Sequence, residues 1–461
     1  MKFIDRKREL NSLERFRKKE KAQFIVIYGK RRIGKTELIK QFIKTKPHIY
    51  FLAQKISEQE NLKMLGEHVG EFFDNDILKT KGFDNYQMFF EYLKKHLKER
   101  TIIVIDEFPY FAEANKGVSS IFQAGWDEYL KNTPIFLILC GSSIAMMESE
   151  VLAYKAPLYG RRTGQIFLKP FPFLEAQKFF PRLSFKQKLE FYSIAGGNPS
   201  YLSRIYPEES LKENIKEQIL IPEAPLYNEV EFILREELRE PRNYFAILKA
   251  IALSKTKISE IANETGFDKG ILHKYLFVLE DLQVIQKEVP ITEKNPQKSR
   301  KGIYKLQDQY FKFWFKYVLP NKSRIEEGNI STVLEIIKQD FNLLVAENYE
   351  KIAKEFIKRN ENRFFKIDKI GRWWDKNEEI DIIALNEKEN KILFGEVKWS
   401  NKPIGTNIYE DLKEKVKKVQ WGREGREEHF CLLSKNGFTK EMERVAKREN
   451  VALFYKDKLV N

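Results

Sequence analysis

The sequence has only two cysteines among its 461 residues, and Cys140 and Cys431 lie far apart. So few thiols exclude a disulfide framework and a zinc site built on cysteine, and they favour a reducing compartment. Long apolar runs are also missing, since no stretch reaches the roughly 20 residues that span a bilayer. Residues 1–6 are charged, unlike the apolar centre of a signal peptide. The sequence therefore predicts a cytoplasmic protein without membrane segments.

Acidic residues are outnumbered by basic ones. There are 82 Lys and Arg against 67 Asp and Glu, a formal net charge of +15. Such an excess attracts polyanions, and DNA is the first candidate partner. The alternative is a lysine-rich proteome in which surface helices carry lysine for solubility, and the abundance of Lys, Glu, Ile and Phe fits it. Charge alone does not decide between these interpretations.

Short apolar runs alternate with helical patterns in the first third of the chain. Strands are predicted at residues 24–28, 48–52, 102–105 and 135–139, separated by helices such as 36–44. This alternation is typical of a doubly wound parallel sheet in an α/β protein. The pattern turns mainly helical from about residue 170 to 240. A second, smaller α/β unit is predicted after residue 325, with strands at 380–385, 392–397 and 429–433.

Residues 29–36, Gly-Lys-Arg-Arg-Ile-Gly-Lys-Thr, match the pattern G-x-x-x-x-G-K-[ST] between a predicted strand and a predicted helix. Gly29 and Gly34 permit a close backbone approach, and successive N–H groups then converge on phosphate oxygens. Lys35 supplies charge to the terminal phosphates, and the Thr36 hydroxyl is a magnesium ligand. A chance match is disfavoured by the flanking elements. The pattern predicts an ATP–Mg²⁺ site formed by Gly29, Lys30, Arg31, Arg32, Ile33, Gly34, Lys35, Thr36 and Glu37.

Two carboxylates follow the predicted strand at 102–105. Ligands bind at the carboxyl ends of parallel strands, so Asp106 and Glu107 are expected beside the phosphates. Asp106 is a candidate metal residue that holds Mg²⁺ through water. Glu107 is a candidate catalytic residue that orients and deprotonates the attacking water. The alternative is an ordinary acidic turn, which the P-loop upstream disfavours.

Two further positions are candidates for the phosphate site. Ser142 and Ser143 end the fourth strand, where a hydroxyl senses the γ-phosphate or simply caps the next helix. Arg161 and Arg162 follow Gly160, and one of them is a candidate catalytic cation, in cis or from a neighbouring subunit. Both arginines are equally compatible with a surface role.

These motifs together resemble a known family. Residues 3–10, the P-loop, the Ile-Asp-Glu strand end and the Gly-Gly-x-Pro-x-Tyr-Leu stretch at 196–202 are similar to the archaeal-type ATPases. That family belongs to the AAA+-like branch of P-loop NTPases, near the signal-transducing STAND group. The resemblance implies that residues 3–10 lie near the adenine base and that a helical lid spans roughly residues 166–235.

Residues 257–276 have a helix-turn-helix pattern with a turn at 265–267. The residues expected to pack inward are Ile258, Ile261, Ala262, Ile271, Leu272, Tyr275 and Leu276. A strand is expected from Leu279 to Val289, followed by a basic wing at 290–301 that carries Lys294, Lys298, Arg300 and Lys301. If this winged helix binds DNA, Lys269, His273 and Lys274 face the groove. The alternative is a lid or a protein-binding module.

A second constellation lies near the C-terminus. Asp381 precedes Glu396-Val-Lys398, and each part lies on a predicted strand. Asp381 and Glu396 are candidate metal ligands and catalytic residues, Lys398 is a candidate catalytic residue that activates water, and Glu350 is a candidate further ligand. This pattern resembles the PD-(D/E)XK nucleases, although Ile380 stands where that motif has proline. The alternative is a surface aspartate and a cross-strand Glu–Lys pair.

The surrounding sequence adds to this resemblance. Residues 371–374, Gly-Arg-Trp-Trp, resemble the C-terminal domain of unknown function often attached to archaeal ATPases of this kind. Trp373 and Trp374 either cover the core or stack on a base, and the core is favoured. We therefore expect a P-loop ATPase core (1–165), a helical lid (166–240), a winged helix-turn-helix (241–322) and a restriction-endonuclease-like α/β domain (323–461).

Three functions fit this organisation. The first is an ATP-hydrolysing protein that associates with DNA and cuts or grips it through the C-terminal domain. The second is a nucleotide-gated signalling switch with an inert C-terminal domain and a protein partner or homo-oligomer. The third is an ATP-responsive transcription regulator. Convergence of Asp381, Glu396 and Lys398 in the fold favours the first function over the other two.

Overall fold

The computed structural model describes residues 3–238 and 240–461, and the chain divides into two units. The first unit runs to Pro170 and also includes Asn198–Ser200, and the second unit contains the rest. The first two residues of the charged N-terminal segment lie outside the described residues, as does Arg239. Within the described ranges, no helix combines the length and the apolar character needed to cross a bilayer.

Five parallel strands form the sheet of the first unit. They are β1 (Gln23–Tyr28), β2 (His48–Leu52), β3 (Thr101–Asp106), β4 (Ile135–Gly141) and β5 (Gly164–Phe167). The strand order is β2-β3-β4-β1-β5. The strands β3 and β4 are buried along their whole length, which explains their unbroken apolar sequences. The predicted doubly wound sheet and its four strands are therefore confirmed, and β5 was not foreseen.

Helices cover both faces of this sheet. They are α1 (Lys7–Arg17), α2 (Lys35–Ile43), α3 (Glu58–Phe73), α4 (Asp76–Lys81), α5 (Tyr86–His96), α6 (Pro109–Ala114), α7 (Val118–Gly125) and α8 (Ile144–Met147). Local chemistry sets several of their starts. For example, Ser57 and Glu60 form a reciprocal capping box at the N-terminus of α3.

The second unit begins with short helices, as the sequence predicts for the region up to about residue 240. The helices that follow residue 170 are α9 (Phe173–Ala176), α10 (Phe185–Ala195), α11 (Pro199–Leu202), α12 (Leu211–Ile215), α13 (Glu229–Glu237), α14 (Pro241–Ala252), α15 (Ile258–Thr265), α16 (Lys269–Asp281), α17 (Gln309–Phe313), α18 (Lys322–Glu326), α19 (Ile330–Arg359), α20 (Thr406–Val416) and α21 (Lys440–Arg448). The 30-residue α19 packs against the sheet described next.

The helix-turn-helix segment folds as two helices and a two-stranded sheet. Gly266 ends α15 in the left-handed conformation, with φ 71°, and the Asp268 side chain caps α16. The antiparallel strands β6 (Ile285–Glu288) and β7 (Ile303–Leu306) follow. Two expectations were wrong. α16 continues to residue 281, so the strand starts later than expected, and Ile271 is 48% exposed because it lies on the outer face of α16.

Six strands form the C-terminal sheet, in the order β13-β12-β11-β10-β9-β8. They are β8 (Lys369–Asp375), β9 (Glu378–Asn386), β10 (Lys391–Lys398), β11 (Glu427–Ser434), β12 (Ala452–Tyr455) and β13 (Lys458–Leu459). The central strands β10, β11 and β12 are parallel, whereas β8, β9 and β10 are antiparallel. The sheet is therefore mixed, and its three predicted strands are confirmed.

Residues 290–301, which we call the wing segment, lie along the edge strand β8. The Ile291 N–H donates to the carbonyl of Arg372 over 2.9 Å. The Trp374 indole N–H donates to the carbonyl of Lys301 over 3.2 Å, and the Lys301 ammonium lies 2.8 Å from Asp375. One of the four basic residues of this segment is thus engaged within the protein.

Candidate functional site

The predicted P-loop lies between β1 and α2, at the carboxyl end of the parallel sheet. A Cβ at Gly29 would lie 2.4 Å from the Leu168 carbonyl oxygen, so only glycine fits there. Gly34 has a φ of 87°, a conformation that other residues adopt at a cost. Because Gly34 immediately precedes α2, the loop directs the first N–H groups of that helix towards the space a phosphate would occupy.

Replacing Gly29 with alanine should destabilise the protein by about 1–3 kcal/mol, because the new methyl group collides with backbone rather than with a movable side chain. Urea unfolding would measure this loss. Gly160→Ala is the matched control, since Gly160 also has positive φ but no atom within 4 Å of its added Cβ. Equal destabilisation by both changes would contradict the close approach at Gly29.

Lys35 is the first residue of α2, and its ammonium reaches back across the loop. It donates to the carbonyls of Gly29 over 2.9 Å and Lys30 over 3.0 Å. The side chain is 5% exposed, and this burial is the main cause of its lowered pKa, which Asp106 and Glu107 partly oppose. An ammonium held by neutral carbonyls alone is available to an anion.

Asp106 ends β3 and is 1% exposed. One of its carboxylate oxygens accepts hydrogen bonds from the Thr36 hydroxyl at 2.8 Å and from the Tyr50 hydroxyl at 2.7 Å. The other accepts from the Glu107 N–H at 3.0 Å. A carboxylate and a threonine hydroxyl are oxygen ligands of the kind that bind Mg²⁺ together with waters and phosphate oxygens, so these residues fit that ion. Sequence reasoning missed Tyr50, which reaches Asp106 only because β2 lies next to β3.

Glu107 adopts a left-handed backbone conformation with a φ of 53°. This conformation is uncommon outside glycine and concentrates at functional sites. The Glu107 carboxylate accepts hydrogen bonds from the Ser142 hydroxyl at 2.8 Å and from the Ser142 N–H at 3.2 Å. Ser143 instead caps α8 through its hydroxyl. Ser143 thus has the capping role, whereas sensing of the γ-phosphate by Ser142 stays a prediction.

The N-terminal segment reaches the same loop. Arg6 is 4% exposed, and its guanidinium donates to the carbonyls of Ile33, within the P-loop, and Lys169. Pro199 also approaches the loop, because a Cβ at Gly34 would lie 3.5 Å from its ring. The family motifs at 3–10 and 196–202 therefore converge on the P-loop, although nothing local in the sequence indicates this.

The other predicted residues of this site are placed less centrally. Arg31 donates to the Tyr110 hydroxyl at 3.3 Å, and the side chains of Arg32 and Glu37 are exposed. Arg161 pairs with Asp127 at 3.1 Å, and Arg162 donates to the carbonyls of residues 151 and 152. The two arginines are held by contacts within their own unit, so their catalytic role stays a prediction.

The C-terminal constellation comes together on β9 and β10. Gly395 pairs with Ile382 in the register of these strands, which brings Asp381 beside Glu396. Both carboxylates are buried, with side chains 7% and 3% exposed. The Lys398 ammonium lies 2.7 Å from Glu396 and 3.9 Å from Asp381. Burial and the charge of Glu396 raise the pKa of Asp381 to about 8.

The side chains around Asp381 and Glu396 determine what these two carboxylates can bind. Lys415 of α20, which sequence reasoning missed, donates to Glu396 at 2.9 Å, so both oxygens of Glu396 contact lysines. Across residues 3–238 and 240–461, no three His, Cys, Asp or Glu side chains are grouped as metal ligands, and Glu350 as a third ligand stays a prediction. Two carboxylates still suit Mg²⁺, which usually keeps several waters. Trp373 lies in the core, as favoured from the sequence.

The parallel sheet and the loop around Lys35 define the class of protein: an ATP-binding P-loop ATPase with a separate mixed-sheet domain at its C-terminus. Residues 3–205 match the model of an ATPase domain found predominantly in Archaea. Residues 314–418 match a family of archaeal and bacterial proteins of unknown function. The chain belongs to the family of ATPases found predominantly in Archaea, which confirms the resemblance inferred from its motifs.

Several proteins are similar to this chain over different lengths. An uncharacterized protein of Methanocaldococcus jannaschii is 39% identical over 95% of this chain and 97% of its own. An uncharacterized ATP-binding protein of the same organism is 52% identical over 10% of this chain and 75% of its own. The solved structure of a Walker-type ATPase of Pyrococcus abyssi is 22% identical, covers 68% of this chain and 96% of its own, and has a TM-score of 0.53.

Proposed function

We propose that this protein hydrolyses ATP with the help of Mg²⁺ at the P-loop of its first unit. One observation carries the proposal: a buried ammonium, a threonine hydroxyl joined to a buried aspartate, and a glutamate fixed by a serine surround one loop. Those groups are what phosphoryl transfer to water requires. Membership of an ATPase family supports the same conclusion.

Each group has a separate task in this proposal. Lys35 and the N–H groups that begin α2 bind the phosphate oxygens and stabilise the charge that develops on them. Thr36 and Asp106 would hold Mg²⁺, which would neutralise phosphate charge. Glu107 accepts the proton of the attacking water, and its two hydrogen bonds from Ser142 fix the carboxylate that does so. Tyr50 positions Asp106 through its hydroxyl.

Release of phosphate from ATP tests the proposal directly. The full chain should release phosphate in the presence of Mg²⁺ and lose that activity when EDTA removes the metal. The same assay with added duplex DNA measures whether DNA stimulates hydrolysis. Absence of phosphate release under all these conditions would contradict the assigned activity.

DNA binding by α15 and α16 is the proposed second property. Lys269, His273 and Lys274 are exposed on α16, as expected of a helix that enters a groove. In the wing segment, Lys294, Lys298 and Arg300 are exposed, whereas Lys301 is paired with Asp375. We therefore expect α16 to make the main contact with DNA and the wing segment to contribute less than in a free winged helix.

The second candidate function is metal-dependent cleavage of DNA at the C-terminal sheet. The observation that favours it is the convergence of Asp381, Glu396 and Lys398 on adjacent strands. Two buried carboxylates would hold Mg²⁺, and the Lys398 ammonium would orient or activate water beside the scissile phosphate. The metal would replace at least one of the lysine contacts of Glu396.

Incubation of the protein with plasmid DNA and Mg²⁺ or Mn²⁺ tests this activity. Lys398→Ala should reduce cleavage by about a hundredfold or more and leave ATP hydrolysis unchanged. Because the raised pKa of Asp381 makes the metal displace a proton, cleavage should increase between about pH 6.5 and pH 8.5. Lys391→Ala, at the far end of β10, is the control. Intact DNA with both metals would exclude the nuclease.

A further inference from the structure

A cavity of about 540 Å³ lies within the second unit, between the two-stranded sheet β6–β7, the long helix α19 and the edge strand β8. Its size falls in the range of small-molecule sites. Five cationic side chains line it: Lys305, Lys312, Lys351, Lys354 and Arg372. It is separate from the P-loop, which belongs to the first unit. Nucleotide binding at the P-loop therefore does not account for the cationic lining of this cavity.

The carboxylates of the cavity are shared among these cations. Glu288 lies 2.9 Å from Lys305, 3.6 Å from Lys354 and 3.9 Å from Arg372, so one negative charge faces three positive ones. The lining holds five cations and four carboxylates, and one of these carboxylates, Glu347, is paired with Lys312, so positive charge exceeds negative charge around the cavity.

Lys351 is the group with the least compensation. In the part of the chain that the structure describes, no hydrogen bond or ion pair reaches its ammonium. The Lys351 side chain lines the cavity and is partly exposed, so its ammonium is available to an anion that enters the cavity.

Arg372 supplies a second incomplete group on the opposite wall. Its side chain is 16% exposed, and its Nε–H has no hydrogen-bond partner although the guanidinium contacts Glu379 at 2.9 Å. A guanidinium and ammonium groups that converge on one space match the tetrahedral oxygens of phosphate.

We propose that this cavity binds a phosphate group, held by Lys351 and Arg372. The shared chemistry is a phosphate ester, and two sources offer it: a mononucleotide within the cavity or the backbone of a nucleic acid. The site does not depend on ATP hydrolysis at the P-loop or on cleavage at Asp381, and its test is a binding measurement rather than an activity.

Calorimetric titration with inorganic phosphate at constant ionic strength tests the site. The titration uses the full chain with the Lys35→Ala substitution, so that phosphate binding at the P-loop adds as little as possible to the signal. We expect saturable binding that Lys351→Met weakens by about tenfold or more. Lys351→Arg, which keeps the charge, retains it. Lys358→Met is the matched control, because Lys358 is exposed on the same helix. Lys354→Met removes a second cation of the wall and should give the same loss if Lys351→Met does not fold.

Parallel titrations with AMP and with a short DNA duplex identify the source of the phosphate group. Binding of AMP that depends on Lys351 assigns the cavity to a nucleotide, and binding of the duplex that depends on Lys351 assigns it to a nucleic-acid backbone. The proposal is overturned if phosphate, AMP and the duplex bind Lys351→Met and Lys358→Met proteins equally well, or if none of them binds the parent.

Discussion

ATP turnover is expected to fall by about a hundredfold to a thousandfold when Lys35 is replaced with alanine, the effect of losing one preorganised donor at a developing charge. The Lys35 ammonium is buried, and its hydrogen bonds within the described part of the chain are to the carbonyls of Gly29 and Lys30. This ammonium already lies inside the loop, and the methyl group of alanine is too short to place a charge at the same position. ATP affinity should fall together with turnover.

A coupled assay of phosphate release and a binding titration with ATP would measure both effects. Lys44→Ala is the control, because Lys44 follows the same helix and is exposed to solvent. Turnover by the Lys35→Ala protein at the rate of the Lys44→Ala protein would place the nucleotide somewhere else.

Replacing Glu107 with glutamine should separate hydrolysis from binding. We expect turnover to fall by about a hundredfold or more, because the amide does not accept the proton of water. ATP binding should persist, since Lys35 and Thr36 are unchanged. The amide oxygen can still accept the hydrogen bonds of Ser142, so the left-handed turn at residue 107 should be preserved.

Single-turnover hydrolysis and ATP binding, measured on the same preparation, would show this separation. Glu99→Gln is the matched control, because Glu99 is an exposed glutamate that precedes the same strand. Hydrolysis by Glu107→Gln within a few-fold of this control would remove Glu107 from the proposed mechanism and leave the nucleotide site itself intact.

The elements that the sequence predicted best are those buried on both faces. The strands β3 and β4 carry unbroken apolar residues and were placed to within one or two residues. The strand β5 has four residues and begins with glycine, and β8 mixes charged residues with tryptophans, so neither shows a strand pattern. Ile271 was assigned inward because helical spacing alone does not distinguish an exposed isoleucine on α16.

The residues of the candidate sites also fall into a group that the sequence predicts and a group that it misses. The loop at 29–36 could be predicted because its functional residues are adjacent in the sequence and form one contiguous motif. Tyr50 and Lys415 act through distant neighbours, Asp106 and Glu396, which only the strand order and the packing of α20 bring within reach. Pro199 reaches the loop from a different part of the chain for the same reason.

The wing segment affects how fragments of the C-terminal domain should behave. Exposed edge strands offer unpaired backbone groups to other chains and promote aggregation. At one side of the C-terminal sheet the last strand has only two residues, and at the other the wing segment lies over part of β8. A fragment that begins at residue 314, where the second family match begins, lacks this cover. Such a fragment should self-associate more readily than the full chain.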